Sequence, residues 1–135
     1  MIMKKLLLIF CIIFTFTIAN AEKFTYQATA CQIETLDDNG DWIESEFLPN
    51  DQFILLDFDN DQWRTFGSPE IILNLVEFSD GSKFDDGVYG EMLGLDQDGD
   101  LTRLSIMSKD DGTVVFCLEY SDIKLYYFGD MIVVE

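Results

Sequence analysis

The sequence contains no histidine and few basic residues. Without an imidazole base, serine or cysteine nucleophiles lack their usual partner, and no histidine-based zinc site can form. Only 8 lysines and arginines stand against 26 aspartates and glutamates. Such an acidic chain repels phosphate backbones and anionic membrane surfaces. The composition therefore argues against nucleic-acid and membrane partners. It is compatible with a basic protein or a cation as partner, and solubility alone is the alternative explanation of the charge.

Long apolar runs are also missing, except at the N-terminus. Lys4 and Lys5 precede an apolar run over residues 6–18, and Ala19 and Ala21 place small residues before a cleavage point. The run is shorter than the ~20 residues that a membrane span needs. The pattern predicts a signal peptide over residues 1–21 and export to the periplasm or the extracellular space. The alternative is a retained N-terminal anchor.

Cleavage after Ala21 would leave a single domain over residues 22–135. That segment has 6 basic residues against 26 acidic ones, since Lys4 and Lys5 are lost with the leader. Its phenylalanines, tyrosines and tryptophans argue for a packed fold rather than an acidic disordered chain.

Cysteine is scarce as well, and two cysteines follow the leader. In an oxidising compartment an even count favours one disulfide, here between Cys31 and Cys117. The alternative is a pair of buried free thiols.

Sustained helical periodicity is absent, whereas strand patterns recur. Residues 22–33 alternate, with Phe24, Tyr26, Ala28 and Ala30 on one face and Cys31 on the other. Further strands are predicted over residues 42–47, 53–58, 62–66 and 70–78, and a meander of three hairpin turns over residues 90–128.

The connections carry hairpin chemistry, because Asn-Gly and Asp-Gly pairs supply the positive φ angles that tight turns need. About eight or nine strands separated by such turns predict an all-β, antiparallel, up-and-down barrel. A β-sandwich is the alternative.

Two Asp-rich turns are the candidate metal sites. Their carboxylates lie at alternate positions, as in calcium loops, and are Asp57, Asp59, Asp61, Asp96, Asp98 and Asp100. Neither turn completes an EF-hand, since Leu101 and Met107 occupy the glycine and glutamate positions of the second. Ordinary hairpin turns explain both more simply, because aspartate bonds to its own backbone there.

No catalytic residue is predicted. A glycosidase needs two carboxylates at a defined separation, but the abundance of acids makes any pair uninformative. Six aromatic side chains could line a ligand cavity or form the core, namely Trp42, Trp63, Tyr89, Tyr120, Tyr126 and Tyr127.

Residues 54–67 form an apolar hairpin around an Asp-rich turn, and residues 95–128 carry the meander with Glu119-Tyr-Ser-Asp122. Together with the leader, these stretches resemble short exported proteins found in Bacteroidota. The resemblance implies export and a β-rich fold, and it carries over no catalytic residue, cofactor or substrate.

We therefore expect an exported, non-enzymatic binding or interaction module that presents acidic turns to a basic protein. A carrier that holds a small ligand inside the barrel and a calcium-dependent surface protein are the alternatives.

Overall fold

The structure, a computed structural model, describes residues 23–79 and 81–134, and the predicted signal peptide lies outside them. Eleven strands follow one another in the described chain: β1 (Lys23–Leu36), β2 (Trp42–Glu44), β3 (Leu48–Pro49), β4 (Phe53–Asp57), β5 (Gln62–Thr65), β6 (Ile72–Phe78), β7 (Ser82–Phe84), β8 (Gly87–Leu95), β9 (Leu101–Lys109), β10 (Thr113–Glu119) and β11 (Ile123–Val134). Among these residues, no helix is long and apolar enough to cross a membrane.

Eight of the strands close into an antiparallel barrel. The order around it is β1-β4-β5-β6-β8-β9-β10-β11, and β11 returns to pair with β1. The short strands β2 and β3 pair with the edge of β1 that β4 leaves free, and β7 pairs with β8. The structure thus confirms the all-β class and the barrel, and the sandwich alternative is not adopted.

The hairpin turns have the predicted backbone conformation. Gly40, Gly99 and Gly112 have φ angles of 83°, 82° and 94°, which side chains other than glycine adopt with difficulty. Two expectations differ locally: the strand predicted over residues 42–47 ends at Glu44, and β7 lies in a stretch for which no strand is predicted. Both are short edge segments, which carry little alternating pattern of their own.

The barrel interior is filled by side chains. Successive residues of β8, β9 and β10 alternate between buried and more exposed positions, as one face of each strand packs inward. Phe116 lies at the centre, with its ring 4.8 Å from that of Tyr26 and 5.6 Å from that of Trp63. Eight strands enclose just enough space for such a packed core.

One face assignment in the first strand was wrong. The β1–β11 register shifts between Ala28 and Ala30, so the second half of β1 reverses its faces. Cys31 pairs with buried Tyr127 and packs against the core, while Ala30 pairs with Phe128 on the outer face. A bulge adds one residue, and one residue is enough to invert a pattern of period two.

Candidate functional site

The turns divide between the two ends of the barrel, because successive antiparallel strands run in opposite directions. Residues 37–41, 66–71, 96–100 and 120–122 form one end, which we call the acidic end. The backbone of Leu36 donates a hydrogen bond to the Asp122 carbonyl (3.1 Å), and Gln97 Nε2 donates to the Glu70 carbonyl (2.9 Å). These contacts join the four connections in two pairs.

Every charged residue in the four connections of the acidic end is a carboxylate. The eight acids are Asp37, Asp38, Asp41, Glu70, Asp96, Asp98, Asp100 and Asp122. The charge of one of them is compensated by an ion pair, because the guanidinium of Arg64 on β5 lies 3.5 Å from the Glu70 carboxylate. Leu101, which begins β9 beside these turns, is 60% exposed. This end therefore combines concentrated negative charge with accessible apolar surface.

The opposite end, which we call the mixed end, is formed by residues 58–61, 79, 81–86 and 110–112 and by the start of β1. Asp85, Asp86 and Asp110 are exposed there, and the Asp110 N–H bonds to the Asp86 carbonyl (2.8 Å). Lysines accompany these acids, namely Lys23, Lys83 and Lys109. The charge at this end is therefore mixed.

The second predicted metal turn brings its three carboxylates together. Oxygens of Asp96, Asp98 and Asp100 lie within 4.8 Å of one another, the only such group of acidic or cysteine side chains in the described chain. Asp96 Oδ1 also accepts hydrogen bonds from the Asp98 and Asp100 N–H groups at 2.9 and 2.8 Å. Burial raises the pKa of nearby Tyr120, and the negative charge of Asp96 raises it further.

The first predicted metal turn is arranged differently. Asp57 is buried, and its Oδ1 accepts from the Asp59 N–H (3.0 Å) and the Asn60 N–H (3.2 Å). Its Oδ2 accepts from Asn60 Nδ2 at 2.8 Å. The Asp57 carboxylate therefore stabilises the turn through these three hydrogen bonds. This turn, with Asp59 and Asp61, also lies at the mixed end, so the two predicted turns do not share a site.

A surface hollow lies on the outer wall over β8 to β11. Its volume is ≈ 250 Å³, and it is lined by Tyr89, Ser105, Met107, Val115, Cys117, Glu119, Lys124 and Tyr126. The strand registers arrange these side chains in three parallel rows, since directly paired residues of antiparallel strands share a face.

The first row is apolar and aromatic and runs through Tyr89, Met107, Val115 and Phe128. The middle row runs through Glu91, Ser105, Cys117 and Tyr126, and the third through Arg103, Glu119, Lys124 and Glu34. The ring of Phe47, from the segment between β2 and β3, lies 5.1 Å from that of Phe128 and extends the first row. We call these three rows together with Phe47 the outer aromatic face.

Tyrosine–glutamate pairs border the hollow. The Tyr89 hydroxyl donates to the Glu91 carboxylate, and its oxygen lies 3.2 Å from Ser105 Oγ. The Tyr126 hydroxyl is hydrogen-bonded to Glu34. Burial is the largest cause that raises the pKa of Tyr126 well above its ordinary value, and this hydrogen bond is the next largest. Both tyrosines are therefore neutral and fixed in orientation at neutral pH.

Both cysteines are free thiols in this structure, and the disulfide predicted between them is not formed in it. Cys31 packs against the core, whereas Cys117 lies on the outer wall, and β11 separates their strands. Two strand spacings place their backbones roughly 10 Å apart, beyond the ~7 Å that a disulfide can bridge without backbone movement. Burial raises the pKa of the Cys117 thiol, which keeps it protonated and unreactive.

The predicted aromatic set divides between the two sides of the wall. Trp63 and Tyr127 are buried in the core and half-buried Tyr120 packs against it, while Trp42, Tyr89 and Tyr126 are half-buried outside it. Sequence reasoning did not find the outer aromatic face. Alternation within β8 to β11 carried the signal, but joining the outward positions into rows required the strand register.

The chain matches no protein-family model, and comparisons with curated proteins and with solved structures find no match either.

Proposed function

We propose that this protein is an exported, non-enzymatic interaction module that captures a basic protein through its acidic end. The proposal is carried by one observation, the eight carboxylates brought together in four connections that contain no lysine or arginine. Charges of one sign grouped on one surface steer an oppositely charged partner and raise its association rate.

The geometry favours a surface site over the interior alternative. Trp63, Phe24 and Leu56 are fully buried in a packed barrel interior, which leaves a small-ligand carrier without support. The absence of histidine and the use of Asp57 and Asp96 carboxylates to hold turns support a non-enzymatic role.

The test is binding of an oligolysine peptide, measured as association and dissociation rates over a range of salt concentrations. We expect the affinity to fall steeply as salt rises, because the Debye length is only about 10 Å at 0.1 M ionic strength. Replacing Asp96, Asp98 and Asp100 by asparagine should lower the association rate about three- to tenfold. Asparagine keeps the side-chain oxygen that the turn needs.

The matched control replaces Asp85, Asp86 and Asp110 by asparagine, which removes the same charge from the mixed end. We expect a clearly smaller effect on association. Equal effects of the two variants would show that net charge alone attracts the peptide, and no binding by the parent protein would refute the proposed function.

Calcium binding is a second candidate, favoured by the convergence of Asp96, Asp98 and Asp100 oxygens within 4.8 Å. Hard cations prefer such oxygen ligands, and weak extracellular sites have dissociation constants on the order of a millimolar. Calorimetry with calcium should give heat that the asparagine triple variant loses. The absence of both heat and a melting shift at millimolar calcium would remove this candidate.

A further inference from the structure

The outer aromatic face leaves large apolar side chains in solvent. Phe47 is 62% exposed and Met107 is 37% exposed, and both belong to the apolar row that Tyr89, Val115 and Phe128 continue. Across the strands from Tyr89 to Phe128 this row spans about 15 Å, at ~4.8 Å per strand spacing. The other three members, Tyr89, Val115 and Phe128, are half-buried, so the row forms a partly exposed apolar strip bordered by polar groups, a feature found at interaction sites.

The middle row forms the floor of a channel beside the apolar row. Ser105, Cys117 and Tyr126 line the hollow of ≈ 250 Å³, with Met107 on one side and Glu119 on the other. Residues two apart on one strand lie about 7 Å apart on the same face, so the apolar and charged rows are separated by about 13 Å. That width accommodates one extended peptide with its side chains on both sides.

A cation–π contact joins the outer aromatic face to the neighbouring strand β2. Lys124 Nζ lies 4.3 Å from the centre of the Trp42 ring, and its cross-strand neighbours on either side are Glu119 and Glu34. A cation over an aromatic ring is attracted to the negative face of the π-system. Lysine held between a ring and glutamates is therefore a contact that this surface makes within its own chain.

We propose that the outer aromatic face docks an extended segment of the basic partner in which basic and apolar residues alternate. This inference rests on the proposed function and names the part of the partner that is held after capture. An extended chain directs successive side chains to opposite sides. Its apolar side chains pack against Phe47, Met107 and Phe128. Its basic side chains reach Glu119 and Glu34 of the third row, which alternate there with Arg103 and Lys124.

The two surfaces have different roles in this scheme. The acidic end attracts the partner over a distance and sets the association rate, whereas the outer aromatic face holds it by contact and sets the dissociation rate. Changes at the two surfaces should therefore appear in different rate constants.

The test compares two peptides of equal length and charge, one alternating lysine with phenylalanine and one alternating lysine with serine. We expect the parent protein to bind the phenylalanine peptide about tenfold more tightly, with the difference in the dissociation rate. This comparison requires no variant and so cannot be confused by a folding defect. Equal affinities of the two peptides would overturn the inference.

A double variant, Phe47→Ser with Met107→Ser, then locates the contact. It should remove most of the preference by raising the dissociation rate of the phenylalanine peptide, with the salt dependence unchanged. The control is Phe53→Ser with Val76→Ser on β4 and β6, whose side chains are 47% and 45% exposed on another part of the wall. The control should retain the preference.

The possible outcomes distinguish failure of the docking face from failure of the proposed function, the capture of a basic protein. Peptide binding that is sensitive to salt and to the Asp96, Asp98 and Asp100 replacements, but unaffected by the Phe47 and Met107 replacements, overturns the docking face alone. Failure of the parent protein to bind either peptide overturns both proposals.

Discussion

Replacing Gly129 by alanine tests whether close contact between β1 and β11 closes the barrel. Gly129 pairs with Ala28 beside the bulge in β1. A Cβ added at Gly129 would lie 2.1 Å from the Gln27 carbonyl oxygen and 2.8 Å from Ala28 Cα, whereas ordinary contact begins at 3.4 Å. Both neighbours are backbone atoms, so no side-chain rotation relieves the clash.

The cost follows from the displacement. Overpacking of this kind costs up to about 3 kcal/mol, and we expect the upper part of the range because the two strands must separate by about an ångström where they close the sheet. For a domain of this size that loss lowers the melting temperature by about 10 °C. Thermal unfolding followed by circular dichroism measures it directly.

Gly99→Ala is the matched control. Gly99 has a φ of 82°, but its added Cβ meets nothing within 4 Å, so only the conformational cost of about 1 kcal/mol applies. If Gly129→Ala melts no lower than Gly99→Ala, the reasoning about close strand approach at the seam is wrong.

Three further predictions follow from the core and the titratable groups. Burial raises the pKa of Tyr127 from 10.0 to about 12, so the folded state keeps a proton that the unfolded state has lost in this interval. The contribution of Tyr127 to stability should therefore be constant below pH 10 and fall by about 3 kcal/mol as the pH rises to 12. Tyr127→Phe should lose stability less steeply than the parent over this interval, and equal slopes in melting scans would contradict this. Titration of the unfolded, unreduced protein with a thiol reagent should count Cys31 and Cys117 as two free thiols, and a count of zero would establish a disulfide. Phe116→Ala should lower the free energy of unfolding in urea by about 3–5 kcal/mol, because the ring contacts Tyr26 and Trp63 at the centre of the core, and Phe116→Leu should cost clearly less.

Local patterns predicted much of the barrel. Asn39-Gly40 and Asp98-Gly99 mark turns because glycine adopts a positive φ without steric cost, and the structure has that conformation at both glycines. Alternation marks the strands because successive side chains point to opposite faces. These signals involve neighbouring residues only, and each can be recognised in the sequence without knowledge of distant contacts.

The bulge in β1 shows where such patterns fail. The extra residue between Ala28 and Ala30 is accommodated by pairing with β11, nearly a hundred residues later. Whether Cys31 and Cys117 can form the predicted disulfide depends on the same information, since their distance and orientation are properties of the closed sheet.

The candidate site divides in the same way. The charge of the acidic turns is a property of composition and was expected, but their grouping was not, because direction alternates around the barrel and sends Asp57 and Asp96 to opposite ends. The outer aromatic face requires the register of four strands at once. The sequence by itself therefore determined which segments extend, where they turn and that the turns are acidic, since these depend on local backbone and side-chain chemistry. Only the tertiary structure decided which carboxylates share an end and which aromatic side chains share a face, because these depend on how distant strands align when the barrel closes.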